Sequence, residues 1–160
     1  MKTLLIRRAT ERDHRAICRL AEQMDELHRT HLPERFRKPR GHARQLSYIR
    51  KLIRDPQTLL LVAELDGKVV AIANSGLGRT PEIPQKRPRR YVRVRGIVVD
   101  SKHRRQGVAT SLMREVFAWA RRHRCHEIQL NVYDFNSAAR RFYSHLGFEP
   151  LDTRLVRALR

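Results

Sequence analysis

The stretch Arg104-Arg105-Gln106-Gly107-Val108-Ala109 carries the clearest chemical suggestion in this sequence. It follows an apolar run, Gly96 to Val99, and opens an amphipathic one, Val108 to Ala120. A strand, a glycine-bearing turn and a helix start, in that order, leave backbone N–H groups free for a bound anion. Gly107 lets the backbone approach a phosphate closely, and the small Ala109 keeps the first helical turn clear. Lys102, Arg104 and Arg105 add positive charge at the same place. A glycine turn beside surface arginines would read the same way, so the stretch alone specifies an anion site and nothing finer.

A second segment narrows the ligand. Asn136-Ser137-Ala138-Ala139-Arg140-Arg141-Phe142-Tyr143-Ser144-His145-Leu146-Gly147-Phe148 lies about 30 residues further on. Its N…A…FY…GF pattern, taken with Arg104-x-x-Gly107-x-Ala109, resembles the GNAT superfamily of acetyl-CoA-dependent N-acetyltransferases. The resemblance is sharp between Tyr91 and Pro150 and extends more loosely over most of the chain. It implies an α/β (mixed α+β) fold whose central mixed sheet splays open between its fourth and fifth strands, with the cofactor in the cleft. It also implies an enzyme that moves an acetyl group from acetyl-CoA to a primary amine, by direct attack in a ternary complex.

Acetyl-CoA offers a pyrophosphate, a pantetheine arm and a thioester. The resemblance implies that the pyrophosphate sits on the backbone of Arg104, Arg105, Gln106, Gly107, Val108, Ala109 and Thr110. Backbone groups of Val98 and Val99 would pair with the pantetheine arm as an extra strand does, and an N–H there would support the oxyanion. Asn136 matches the family position that touches the cofactor, and equally suits the N-cap of a helix. Tyr143 is the candidate catalytic residue. The departing thiolate belongs to a thiol of pKa about 8.5, and a phenol near 10 can protonate it within hydrogen-bond reach. A packed aromatic beside Phe142 is the other reading of Tyr143. Family members differ in their general base, and Glu64, Asp100, Asp134, His28 and His31 are the candidates here; Asn131 would line the acceptor side.

The 160 residues fit one domain, 1–160, with a single core. No 18-residue apolar run exists, so no membrane span is expected, and Leu4-Leu5-Ile6 is too short for a signal-peptide core. Cys18 and Cys125 match no metal or redox spacing, which makes a reduced cytoplasmic protein the expectation. His123, Cys125 and His126 would be scattered between a helix end and a strand start, so no metal is expected. Gly76-Leu77-Gly78 has Pro81 where a dinucleotide fingerprint needs its third glycine.

The formal net charge is +19, concentrated between Arg29 and Arg54 and between Arg79 and Arg95. Such a field favours polyanions and leaves a nucleic-acid- or ribosome-binding module on the same scaffold as the competing function. Only Phe36, Tyr48 and Tyr91 interleave the cations, which is little for stacking on single strands. The expected partners are therefore acetyl-CoA and an amine acceptor, with a small amine, amino acid or antibiotic favoured over a protein. A carboxylate or phosphate on the acceptor suits the positive field, and self-association into a homodimer is left open.

The elements that position these residues follow from periodicity. Thr3 to Arg8 reads as a strand, and Thr10-Glu11-Arg12-Asp13 as a capping box for a helix carrying Ile17, Leu20, Met24 and Leu27 to about His28. Pro33 and Pro39 bracket an arginine-rich loop, followed by a second helix from His42 to Arg54. Thr58–Leu65 and Lys68–Asn74 form a hairpin about Asp66-Gly67. Residues 79–90 are an exposed loop and Tyr91–Val99 a strand. The helix from Val108 buries Val108, Leu112, Val116 and Trp119. Glu127–Tyr133 is a strand, Asn136 caps the last helix, Gly147 ends it, and residues 148–158 supply two short final strands. The predicted order is β-α-α-β-β-β-α-β-α-β-β.

Overall fold

Residues 3–41 and 43–159 are described by a computed structural model, and His42 lies outside them. The chain divides into two compact units, residues 1–130 and 131–160.

The first unit is a five-stranded sheet in the order β1-β2-β3-β4-β5. Its strands are β1 (Leu4–Arg8), β2 (Thr58–Leu65), β3 (Lys68–Arg79), β4 (Arg90–Val99) and β5 (Glu127–Leu130). Neighbouring strands run antiparallel except β4 and β5, which are parallel because a helix carries the chain between them. The hairpin between β2 and β3 turns at Asp66 (φ 49°) and Gly67 (φ 77°). Positive φ at both central residues is what a two-residue turn of matching twist demands, and Asp-Gly supplies it at low cost.

One sheet face carries α1 (His14–His31) and α2 (Leu46–Arg54), the other α3 (Val108–Arg122). Ile17, Leu20, Ala21, Ile49 and Leu52 pack on Leu60, Val62, Ile72 and Val98. On the opposite face Ala63, Ala71 and Ala73 are buried toward α3, joined by Val92 and Val94, which the register step at Arg95 moves to that side of β4. The alanines leave room for Leu112, Met113, Val116 and Trp119, all 2% exposed or less.

Several boundaries differ from expectation: β3 runs on to Arg79 instead of ending at Asn74, and α1 to His31 instead of about His28. A short 3-10 turn, Glu11–Asp13, precedes α1, and the Asp13 carboxylate accepts from both the backbone N–H and the hydroxyl of Thr10. The second helix starts at Leu46, not near residue 42. Arg44 holds the preceding chain in place: its guanidinium bonds Asp25, and its carbonyl pairs with His14 and Cys18. The fifth strand stops at Leu130 rather than Tyr133.

In the second unit Asn136 Oδ1 accepts from Ala139 N–H at 3.1 Å and opens α4 (Ser137–His145). Gly147 (φ 84°) closes it, with its own N–H on Ser144 and that of Phe148 on the Tyr143 carbonyl. This paired closure is the one that glycine after a helix makes available. The two final strands expected over residues 148–158 are not formed. Residues 149–159 lie outside every strand, and Leu151, Leu155, Val156 and Leu159 are exposed. Leu151, Leu155 and Leu159 would share one face of a strand, but Thr153 and Arg157 stand between them there, so that face is not continuously apolar.

Candidate active site

The turn before α3 has the geometry of an anion cradle. Arg105 (φ 62°) and Gly107 (φ 76°) both adopt left-handed backbone, a combination that curls N–H groups toward one side. No side chain caps the helix, and among the described residues no backbone N–H from Arg105 to Thr110 bonds another protein group. Four such donors are inherent to any helix start, and α3 leaves them open at its positive end. Arg104, Arg105 and Gln106 are exposed around them, while Val108 is buried and anchors the turn. Arg104 Nε returns to the Val99 carbonyl at 3.2 Å and so ties the turn to the end of β4.

β4 itself is interrupted. Its register with β3 steps from Asn74↔Gly96 to Ser75↔Val94, which leaves Arg95 as one extra residue. The parallel ladder with β5 ends at the same point, with Val94↔Leu130. From Arg95 to Val99 the only strand paired with β4 among the described residues is β3. Bulges of this kind terminate pairing and re-aim side chains. Met24 of α1 approaches within 3.7 Å of where a side chain at Gly96 would begin. His28 follows one turn later on the same helix face, and its ring stacks on Phe36 at 5.0 Å.

In the second unit Tyr143 is 9% exposed and packs between Phe142 and Phe148, with ring centroids 5.3 and 5.6 Å away. Burial alone pushes its phenol up to about 12. The aromatic packing and an acid role are compatible, since a group with that pKa keeps its proton throughout the neutral range.

Comparison with known sequences decides the family. The profile of the acetyltransferase (GNAT) family matches residues 7–148. The chain belongs to the GNAT acetyltransferase family.

Two of its sequence relatives are N-acetyltransferases by name. The L-amino acid N-acetyltransferase AaaT of Escherichia coli is 35% identical over 166 residues, covering 100% of this chain and 91% of that protein. A tetramutant of the BH1408 protein from Bacillus halodurans superposes with a TM-score of 0.92 at 27% identity, covering 97% of this chain and 99% of that one. The aminoglycoside N-acetyltransferase AAC(6')-Iy in complex with CoA shares the fold, with a TM-score of 0.72 at 17% identity over 98% and 99% of the two chains.

Several sequence candidates of this GNAT acetyltransferase are occupied elsewhere. Glu64, near the end of β2, accepts from Arg7 Nε and Nη2 of β1 at 3.1 and 2.9 Å. Asp100 accepts from the Lys102 N–H, and that bond, with Arg19, holds its carboxyl below the usual range despite burial. Asp134 pairs with Arg140 in the second unit. These carboxylates serve as ion-pair partners. Burial lowers the His28 pKa below its ordinary value, with nearby Asp25 opposing the shift, so its imidazole is neutral at pH 7. His31 Nδ1 lies on the Leu27 carbonyl.

His123 turns back to the Trp119 carbonyl and His126 accepts from the Arg90 N–H, so the two do not converge with Cys125. Cys18 and Cys125 are free thiols whose pKa values are raised by burial. No helix among the described residues is long and apolar enough to cross a membrane. Sequence reasoning missed Arg95 and the bulge that presents it. The signal was present in Gly76 and Gly78: a Cβ on either would stand 2.4 Å from the Arg95 guanidinium and the Tyr91 ring, respectively.

Proposed function

We propose that this protein moves an acetyl group from acetyl-CoA to the primary amine of a small acceptor, by direct attack within a ternary complex. The observation that carries the reading is the open start of α3, with its unpaired N–H groups from Arg105 to Thr110 and its left-handed Arg105 and Gly107. A pyrophosphate is the doubly charged group such a cradle suits. The free side of β4 at Val98 and Val99, past the bulge, is suited to the amides of a pantetheine arm.

In this reading the acceptor nitrogen attacks the thioester carbonyl. A C–N bond forms, the C–S bond breaks, and a proton leaves the nitrogen while one arrives on the sulfur. Tyr143 donates to the departing sulfur, and backbone N–H groups beside Val98 stabilise the oxyanion. Asn136, whose Oδ1 is spent on the cap, keeps its amide N–H groups for the cofactor. His28 is the best-suited base of the sequence candidates, being neutral and on the Met24 face of α1. An amino acid leads the list of acceptors because the relative named for that activity aligns over the whole chain.

Part of the positive charge in the two basic stretches is paired within the fold, while the net charge of +19 keeps a nucleic-acid module as the competing reading. Arg29, Arg44, Arg50 and Arg89 each bond a carboxylate. Thermal shift with acetyl-CoA, beside thiol release across amino acids, aminoglycosides and simple amines, tests the reading. At a hundred times its Kd the ligand should add about 2.7 kcal/mol of stability. A protein that neither shifts nor releases thiol with any amine is not this enzyme.

A further inference from the structure

We infer that Arg95 is the specificity residue for the acceptor, and that it selects amines that also carry a carboxylate. The inference rests on the acetyltransferase reading above and names the substrate class of that site.

Four observations converge on Arg95. It is the extra residue of the bulge that ends the β4–β5 ladder, so it stands where β4 becomes free for a ligand. Its guanidinium lies against Gly76, where a Cβ would come within 2.4 Å of Nη2 and 2.8 Å of Cζ. The absence of a side chain at Gly76 is therefore what lets the guanidinium settle on the sheet.

The guanidinium is also unspent. Its hydrogen bond to Thr58 is a long one, 3.4 Å from Nη1 to Oγ1, and no carboxylate among the described residues forms an ion pair with it. The neighbouring Asp55 feels its charge but gives its oxygens to the Thr58 hydroxyl and the Gln57 N–H. By contrast Arg7, Arg19, Arg29, Arg44 and Arg50 are all tied to acids. Finally, Arg95 is exposed on the α1/α2 face, two residues along β4 from Arg93, which is itself held by Gln129 and the Tyr91 ring.

A planar fork with free donors on a fixed strand recognises a planar two-oxygen anion, which is a carboxylate. Each such charge-assisted contact changes affinity by roughly ten- to hundredfold. Specificity of this kind shows as a difference between the acid and its uncharged isostere.

The experiment compares L-leucine, L-leucinamide, isoamylamine and O-phosphoethanolamine as acceptors for the wild type, Arg95→Gln, Arg95→Lys and Gly76→Ala. The wild type should prefer leucine to leucinamide by about tenfold or more in kcat/KM. Arg95→Gln should raise KM for leucine by that factor and leave leucinamide unchanged, and Arg95→Lys should restore part of the preference. Gly76→Ala, which displaces the guanidinium without removing it, should lose the same selectivity while keeping its Tm. A wild type that acetylates all four amines alike overturns the inference and leaves the acetyltransferase reading standing. So does an Arg95→Gln protein that still prefers leucine, or a wild type that prefers the phosphate. A wild type that acetylates none of these or any other amine overturns both.

Discussion

The N–H and the hydroxyl of Ser111 both bond the carbonyl of Gly107, at 3.0 and 3.2 Å. One residue thus closes the first turn of α3 from behind and fixes the direction in which the N–H groups ahead of it point. The relationship leaves Gly107 with one structural demand, its own φ of 76°, and one that the proposed function adds, room for an anion in front of it.

Those demands separate by substitution. At Gly107 an added Cβ meets nothing within 4 Å, so Gly107→Ala costs only the left-handed backbone, about 1 kcal/mol. Gly107→Glu carries the same backbone cost and adds a negative charge at the cradle. The expected outcome is similar Tm for both variants, with acetyl-CoA binding weakened modestly by Ala and lost with Glu. Titration calorimetry checks it, and full affinity in Gly107→Glu would falsify the anion site.

Tyr143→Phe should lower kcat by about a hundredfold and leave acetyl-CoA affinity unchanged, as expected for removal of a general acid. The sign of the pH dependence follows from burial. An acid works while protonated, so its contribution is present below its pKa and lost above it. With the phenol pushed up to about 12 rather than the ordinary 10, Tyr143 imposes no fall in kcat up to pH about 10. A wild-type kcat that drops around pH 10, with the drop absent in Tyr143→Phe, would show a less buried phenol than this one.

Sequence patterning made much of this fold legible, and the misses have a common cause. The hairpin at Asp66-Gly67, the core positions of α3 and the Asn136 and Gly147 helix ends all depend on near neighbours. Helical and strand periods report such local requirements directly. The α2 start, by contrast, is set by Arg44 reaching Asp25 nineteen residues away. Glu64 looked available until β1 brought Arg7 beside it across 57 residues. The bulge at Arg95 is a property of two strands together, and its mark in the sequence, a glycine at position 76, falls past the strand expected over Lys68–Asn74. In the candidate site the glycine turn and open helix start at Gly107 were readable because both are local. The placement of Arg95 was not, because it depends on cross-strand register.

The C-terminal segment supplies a test of the corrected topology. Leu155 and Leu159 are 87% and 91% exposed, and residues 149–159 belong to no strand. Replacing both with serine should change stability by no more than about 0.5 kcal/mol, the usual range for surface positions. Paired, buried strands would lose several times that. Chemical denaturation measures the difference, and a loss above about 2 kcal/mol would restore the expected strands.

Asp13 gives the acid limit of the fold. Its carboxylate is buried, which alone would raise its pKa, yet two bonds from Arg7 at 2.8 and 2.9 Å and the Thr10 N–H hold it below the usual range. A carboxylate with a depressed folded pKa stabilises above its unfolded value, near 3.9, and that stabilisation is lost as pH falls through the folded pKa. Wild-type stability should therefore hold from neutral pH down to about 4 and decline below it. Asp13→Asn keeps the volume but leaves Arg7 without its main partner, and should cost about 2 kcal/mol at pH 7. Because the variant has no carboxylate there to titrate, its stability should change less between pH 5 and 2 than that of the wild type. Urea midpoints at stepped pH would settle the matter: parallel acid declines in the two proteins would remove Asp13 from this role.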